Sequence, residues 1–284
     1  MSNIAIITDT TCDLPEEIIK QYNINVLPFR IIYKDREYRD KFEITPEEVY
    51  NNLATEIPTS SMPSMDDMEE MFHEIEEKGC KEVIAIVLST GLSGIYNGIQ
   101  VVSENHPNLR TFICDSQSIS VGEGALVVEC AKLAEKGKSF DEIIEAIPSI
   151  KKRIHLFFVV GTLEYLKKGG RIGKVSGTIA ELLNIKPIIS IDSKDGKYFT
   201  YDKVRGKKQA LNRLVSIGEE ILSKNKCSIY VMHGNGEEEA KKVYMQIKEK
   251  TNVISSTWGG CISPVSGVHS GPGLIGLVLV EEPD

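Results

Sequence analysis

Short apolar runs alternate with amphipathic segments along the first half of the chain. Residues 4–7, 82–88 and 110–114 have the pattern of buried strands, whereas residues 121–136 and 140–152 have apolar positions at helical spacing. Strands that alternate with helices of about 10–15 residues indicate β-α-β units and a parallel sheet.

Three further elements are predicted in the same half. Residues 25–33 form one apolar run and are expected to be a strand, and residues 93–104 are expected to be a helix. Thr45 and Ser64 each stand three positions before an acidic residue, which is the signature of a helix N-cap.

The second half has a different pattern. Residues 156–160 and 274–280 resemble strands, and residues 179–183 have helical character. Asp195-Gly196 lies between two short apolar runs, which is a signal for a two-residue hairpin turn.

The chain has 284 residues, which suits one large or two modest domains at roughly 100–200 residues each. We predict an α/β protein with two α/β domains. The N-terminal domain, residues 1–155, is expected to have a mainly parallel sheet, and the C-terminal domain, residues 156–284, a mixed sheet.

Charge and hydropathy exclude several classes of partner. The 33 basic and 41 acidic residues give a net charge of −8, which argues against general binding to nucleic acid or anionic membrane. The longest apolar runs are far shorter than the ~20 residues of a membrane helix, so we expect no integral membrane segment.

The N-terminus and the cysteines indicate a cytoplasmic protein. Met1-Ser2-Asn3 leads directly into an apolar run without a basic start or a cleavage site, so we expect no signal peptide. None of the six cysteines forms a C-x-x-C pair or stands near a histidine at metal-ligand spacing, so reduced thiols and no bound metal are expected.

Two hydroxyl-rich loops are candidates for an anion site. Residues 89–94 (Ser-Thr-Gly-Leu-Ser-Gly) follow a predicted strand and precede a helix, where the Ser93 hydroxyl and free backbone N–H groups could bind an anion. Residues 58–64 form the second loop. The alternatives are that Ser93 merely caps its helix and that the second loop is solvated. A nucleophile elbow is excluded because Ile95 stands where G-x-S-x-G requires glycine.

The segment 267–273 contains three glycines, a proline and His269. So much glycine predicts a tight turn or a close approach of the backbone to a neighbour. His269 is a candidate hydrogen-bond donor to an acid, or else a loop histidine bound to backbone. Residues 271–276 match G-x-G-x-x-G formally, but they precede a strand rather than a helix, which argues against a dinucleotide site.

A basic segment at residues 162–174 includes Lys168 and Arg171, and Arg205 belongs to a weaker second cluster. Such a segment could contact a phosphate or an acidic partner, or it could balance nearby carboxylates. It is not a Walker sequence, because Val175 follows Lys174 where Ser or Thr is required.

Taken together, these segments resemble the DegV family, the bacterial fatty-acid-binding proteins that serve a fatty acid kinase. The resemblance covers residues 3–281 as one unit. It rests on residues 8–14, on 89–96, on 162–172, which are close to T-L-E-Y-L-K-K-G-G-R-I, and on 268–273, which are similar to H-T-G-P-G. The sequence departs from the family at Met62, where the family loop has Gln, and at Thr90, where it has Ser.

The resemblance implies a long apolar tunnel between the two domains and a long-chain fatty acid of the palmitate, stearate or oleate class as ligand, with no other cofactor. The residues that match the family's carboxylate site are Ser60, Ser61, Ser93, Gly94 and His269. Arg171, Lys168 and Arg205 match the region implied to contact the kinase or its phosphate.

The implied function is a non-enzymatic carrier that presents a fatty acid for phosphorylation by a separate, ATP-dependent kinase. The alternatives are an enzyme, either a serine hydrolase or a small-substrate phosphotransferase using Ser93 and His269, and a regulatory protein that senses lipid.

Overall fold

The computed structural model describes residues 3–178 and 184–283. The helix predicted over residues 179–183 lies outside the described residues. The elements of the first half, in chain order, are β1 (Ile4–Asp9), a 3-10 turn (Thr10–Cys12), α1 (Glu16–Gln21), β2 (Asn25–Leu27), β3 (Arg30–Ile32), β4 (Glu37–Arg39), α2 (Pro46–Asn52), β5 (Thr59–Ser61), α3 (Met65–Glu77), β6 (Glu82–Val87), α4 (Ile95–Ser103), β7 (Arg110–Asp115), α5 (Val121–Glu135) and α6 (Phe140–Lys152).

The second half is built from longer strands. Its elements are β8 (Ile154–Val159), α7 (Glu164–Lys168), a 3-10 segment (Gly173–Thr178), β9 (Ile185–Ile191), β10 (Tyr198–Arg205), α8 (Lys207–Leu222), β11 (Cys227–Gly234), α9 (Glu237–Ile247), β12 (Val253–Cys261), α10 (Pro264–Ser270) and β13 (Leu274–Glu281).

The strands within the described ranges form three sheets. The first is parallel, with the order β2-β1-β6-β7. The second has the order β10-β9-β8-β13-β11-β12 and is mixed, because β12 runs parallel to β11 while the other neighbours are antiparallel. A small antiparallel sheet, β4-β3-β5, completes the set. The predicted α/β class, with a parallel and a mixed sheet, is confirmed.

Local sequence signals predicted the positions of several elements correctly. Thr45 and Ser64 cap α2 and α3 with complete capping boxes. A hairpin around Asp195-Gly196 joins β9 to β10, with Gly196 at φ 67°, but its turn is longer than the predicted two residues, because the paired strands end at Ile191 and resume at Tyr198. The domain boundary between residues 155 and 156 stays a prediction; β8, a strand of the mixed sheet, begins at Ile154.

Two local predictions were wrong, and a third was confirmed in part. Residues 25–33 form two strands in different sheets, because Pro28 has no N–H for continued pairing. The loop 58–64 contains β5, whose Ser60 pairs with Ile31 of β3. The glycine-rich segment 267–273 begins as the last turn of α10, and the tight turn follows at Gly271 and Gly273, which have φ of 67° and 88°.

The two large sheets pack through a shared apolar core. Leu88 and Leu92 from the first half lie in one buried cluster with Phe158, Tyr198 and Leu274 from the second. This packing brings the loop after β6 against the open face of the mixed sheet.

A polar contact fixes the loop that follows β6. The Ser89 hydroxyl donates to the Gly196 carbonyl at 2.8 Å. A Cβ on Gly91 would lie 2.4 Å from the Gly196 backbone, so the hairpin turn and the loop approach more closely than a side chain allows.

No helix in the described ranges combines the length and the apolar composition needed to cross a bilayer. The cysteines are free thiols, and Cys12, Cys114, Cys130 and Cys227 are buried.

Candidate ligand-binding site

A cavity that is partly open to solvent lies between the parallel and the mixed sheets. Most of its wall is apolar: Phe29, Leu88, Leu92, Ile119, Leu156, Phe157, Phe158, Leu166, Tyr198, Met232, Ile262, Val265, Leu274, Gly276 and Val278. The polar and charged lining residues are Thr11, Ser60, Ser120, Arg171, Ser266, His269 and Ser270.

The cavity extends along β13. Leu274, Gly276 and Val278 all line it, because alternate residues of a strand face the same side. At ~3.4 Å per residue, these three positions span about 14 Å of wall. The strand therefore contributes a continuous apolar stretch of the cavity wall, which suits a hydrocarbon chain.

Two of the candidate head-group residues meet at the cavity. The Ser60 hydroxyl lies 2.6 Å from Nε2 of His269, within hydrogen-bond distance. Arg171 lines the same cavity, where its positive charge acts on His269. A hydroxyl, an imidazole and a guanidinium next to an apolar wall can hold the anionic head of an amphipathic ligand.

Strand pairing determines which of two adjacent serines faces the cavity. Ser60 is half-buried between the exposed Thr59 and Ser61, since β5 alternates its faces. The Ser61 hydroxyl donates to the Met62 carbonyl instead. The structure therefore brings Ser60, and not Ser61, to His269.

His269 is positioned by the short helix α10. The carboxylates of Asp13 and Asp40 accept hydrogen bonds from the backbone N–H groups of Ser263 and Val265, at 2.8 and 3.0 Å. These two bonds satisfy amides that a helix start leaves free. They fix the helix whose last turn carries His269.

Burial keeps the His269 imidazole neutral. Loss of solvent, with the neighbouring Arg171 charge, lowers the pKa of His269 to about 4. Its Nδ1 atom has no hydrogen-bond partner among the described residues. A Cβ on Gly169 would lie 2.2 Å from that nitrogen, so glycine is required beside the ring. Near pH 7 the site presents a neutral donor-acceptor pair rather than an imidazolium.

Arg171 is held in place by backbone carbonyls. Its Nη1 donates to the Gly169 carbonyl at 2.6 Å and its Nε to the Leu92 carbonyl at 3.2 Å. Two other cations lie elsewhere: Lys168 is exposed and paired with Glu164 at 2.7 Å, and Arg205 is exposed at the end of β10. Arg171 thus lines the cavity, whereas Lys168 and Arg205 lie on the surface.

Ser93 and Gly94 lie at the start of α4. The Ser93 hydroxyl accepts a hydrogen bond from the Ile95 N–H at 3.2 Å, in the turn just before the helix, while Gly94 is the N-cap residue. Gly94 is exposed. Neither is among the described residues that line the cavity, although Leu92 of the same loop is.

Beneath the cavity lies a buried carboxylate pair that the sequence did not reveal. The Thr11 hydroxyl, at the cavity wall, lies 2.6 Å from Asp9 and 3.0 Å from Glu123. A hydroxyl has a single hydrogen to donate, so one of the two contacts needs a proton on a carboxyl group. Burial raises the pKa of Glu123 well above its usual value, and that of Asp9 is raised as well. The pair therefore tends to retain a proton.

Glu123→Gln is expected to flatten the pH dependence of stability. When the pKa of a carboxyl group is raised in the folded state, the folded protein loses stability as the pH rises above 4.5, the usual pKa of glutamate. The reason is that the unfolded chain releases the proton at a lower pH than the folded protein does. The amide removes this effect, which amounts to at most ~1.4 kcal/mol per pH unit for one proton. Urea unfolding between pH 5 and 8 measures it. The exposed Glu135→Gln on the same helix is the control, and equal slopes in both variants would refute the shared proton.

These features define a class of α/β protein with two large sheets, a largely apolar cavity between them and a polar cluster at the cavity wall. The model of the DegV family, described as uncharacterised proteins, matches residues 3–282. The chain belongs to the DegV family, as its sequence motifs indicated.

Relatives and solved structures agree with this assignment. A DegV domain-containing protein of Clostridium acetobutylicum is 60% identical over 282 residues, covering 99% of this chain and 100% of the relative. The crystal structure of DegV, a fatty acid binding protein from Bacillus subtilis, gives a TM-score of 0.91 at 28% identity over 99% of this chain and 100% of the other. A stearic acid-binding protein from Eubacterium ventriosum gives 0.83 at 27% identity over 98% of both chains.

Proposed function

We propose that this protein is a non-enzymatic carrier that binds one long-chain fatty acid, with the acyl tail in the cavity and the carboxylate at Ser60 and His269. The observation that carries the proposal is the cavity with its largely apolar lining and its Ser60–His269 contact. Two solved relatives described as fatty-acid-binding and stearic acid-binding proteins support it. The expected ligands are of the palmitate, stearate or oleate class.

The tail supplies most of the affinity. About 15 methylenes at ~0.8 kcal/mol each give a transfer free energy of ~12 kcal/mol. Immobilising the ligand opposes binding by several kcal/mol. The remainder still corresponds to tight binding, so the head group mainly sets the orientation of the ligand.

The head group meets one fixed charge and two neutral groups. Arg171 supplies the charge, while part of its guanidinium is already bonded to the carbonyls of Leu92 and Gly169. Ser60 and the neutral His269 supply hydrogen bonds. Because these groups do not require the bidentate geometry of a carboxylate, the site suits a ligand whose head group changes from a carboxylate to an acyl phosphate.

Ser60→Ala is expected to weaken fatty-acid binding by about tenfold, because a hydrogen bond contributes ~1–1.5 kcal/mol. Ser61→Ala is the matched control, since its side chain is exposed and bonds the Met62 carbonyl. Displacement of a fluorescent fatty acid measures both affinities. Equal affinities of the two variants would remove Ser60 from the head-group site.

We further propose that the bound acid is phosphorylated by a separate kinase in the cytoplasm. A carboxylate oxygen attacks the γ-phosphorus of ATP, the bond to the β-phosphate oxygen breaks, and acyl phosphate and ADP result. The exposed Lys168 and Arg205 are proposed to contact the kinase, and Arg171 its phosphate. The protein has a net charge of −8, so it does not attract anions in general. Exposed basic side chains on such a protein are therefore candidates for a specific contact with a partner.

Ser93→Ala is expected to lower the yield of acyl phosphate several-fold with little change in fatty-acid affinity, because its hydroxyl orders the start of α4 beside the cavity. The assay combines the loaded protein, ATP and a purified bacterial fatty acid kinase subunit. The capping residue Ser139 of the distant α6 offers a matched control, Ser139→Ala. An unchanged yield in Ser93→Ala would exclude this role.

A serine hydrolase is the second candidate, and one contact favours it: the Ser60 hydroxyl lies 2.6 Å from a neutral histidine. The pair differs from the predicted one, since Ser60 rather than Ser93 meets His269. A triad also needs a group that orients the other ring nitrogen, and Nδ1 has no such partner in the described part of the chain. Hydrolysis of a p-nitrophenyl ester that Ser60→Ala abolishes would establish this activity instead.

A further inference from the structure

Four side chains meet on the outer side of α3, away from the proposed fatty-acid site. Glu69, His73 and Glu76 are spaced by four and three residues, so they lie on one face of the helix. His106, from the loop after α4, packs against that face. Ligand atoms of Glu69, His73 and His106 lie within 4.8 Å of one another.

His106 is almost fully buried and has a carboxylate at each ring nitrogen. Its Nε2 lies 3.0 Å from Glu69 Oε2 and its Nδ1 lies 3.0 Å from Glu76 Oε2. A neutral imidazole has one N–H and one lone pair, so one contact would place a lone pair against a carboxylate oxygen. A cation at that nitrogen, either a proton or a metal ion, removes the conflict.

His73 favours a metal ion over a proton. Its ring lies 4.7 Å from that of His106, centroid to centroid. A proton on His106 would remove the conflict at that ring, but it would leave the His73 ring beside a positive charge. A divalent metal ion instead binds both imidazoles and a carboxylate, and its charge balances those of Glu69 and Glu76.

We propose that Glu69, His73 and His106 bind a zinc ion, with Glu76 accepting the Nδ1–H of His106. Histidine nitrogen and carboxylate oxygen are usual zinc ligands, and a carboxylate behind a metal-bound histidine fixes its tautomer. The nitrogen donors disfavour magnesium and calcium, which prefer oxygen. The fourth ligand is water, since the His73 side chain is 69% exposed and the site faces solvent.

The required adjustment is small. Zinc bonds of ~2.0–2.2 Å place ligand atoms about 3.4 Å apart in a tetrahedron, so a pair at the 4.8 Å limit closes by about 1.4 Å. The exposed His73 side chain can rotate to do this. The ion would connect α3 to the loop after α4. It would thereby stabilise both α3, which follows β5, and α4, which follows the Ser93 loop.

The test is a titration of the metal-free full-length protein with zinc chloride, followed by calorimetry. One zinc ion is expected to bind with a micromolar or lower Kd, and the Tm is expected to rise by about 5 °C at one hundred times that Kd. His73→Ala is expected to weaken binding at least tenfold and, being exposed, to leave the fold intact. Glu77→Gln, an exposed acid on the same helix, is the control.

Two outcomes would overturn the proposal. One is a wild-type zinc affinity equal to that of His73→Ala. The other is a thiolate charge-transfer band when cobalt(II) replaces zinc, because that band would place the ion on a cysteine. The site is supported if cobalt(II) gives an absorption spectrum typical of nitrogen and oxygen ligands. That spectrum should be lost in His73→Ala and kept in Glu77→Gln.

Discussion

Gly276→Phe is expected to abolish measurable binding of palmitate while the protein remains folded. Gly276 lines the cavity between Leu274 and Val278 on β13. A Cβ at this position would lie 3.9 Å from its nearest neighbours, Leu274 Cδ2 and Met232 Cβ, which is ordinary van der Waals contact. The phenyl ring therefore enters the cavity without a clash at the backbone.

The expected loss follows from the tail. If the ring displaces about five methylenes, the transfer free energy falls by ~4 kcal/mol, which is a loss of about 1,000-fold in affinity. Gly276→Ala is the matched control and is expected to weaken binding by about tenfold or less. Fluorescence displacement gives both Kd values, and circular dichroism checks the fold. A Gly276→Phe variant that binds palmitate as wild type does would exclude this cavity as the tail site.

Palmitate is expected to raise the Tm of the lipid-free protein by about 10 °C when its concentration is 1,000 times the Kd. Ligand binding to the folded state alone adds ~4 kcal/mol at that ratio, and each kcal/mol corresponds to ~2–4 °C for a chain of this size class.

Octanoate provides the control for this shift, because it has the same head group and eight fewer methylenes. It should bind more weakly by ~6 kcal/mol and give almost no shift at the same concentration. Differential scanning calorimetry measures both ligands. Equal shifts for octanoate and palmitate would place the affinity in the head group and contradict the proposed energetics.

The α/β class could be predicted from the sequence because its main helices are long and regular. α5 and α6 begin and end within a residue of the predicted bounds. By contrast, β5 has three residues and α10 has seven, with glycine in the helix. Elements this short have little periodicity, and packing against β3 and α2 determines them.

The site could be predicted only in part, because its geometry depends on register and burial. Ser60 and Ser61 are equivalent in the sequence, and the pairing of Ser60 with Ile31 sets which one faces His269. Arg171 belongs to a basic segment typical of a surface, yet its bond to the Leu92 carbonyl holds it at the cavity.

The histidine cluster on α3 was not predictable from motif spacing. His106 is 33 residues beyond His73, and the contact between α3 and the loop after α4 brings the two rings together. Metal-ligand motifs depend on closely spaced residues, so the sequence indicated no metal at this position.

The most direct test of the central claim is mass spectrometry of organic extracts from the purified protein. The proposed function predicts close to one equivalent of a straight-chain fatty acid of about 16–18 carbons in the wild type and almost none in Gly276→Phe. An extract from the wild type without fatty acid, together with no uptake of added palmitate, would contradict the claim that this cavity binds an acyl chain.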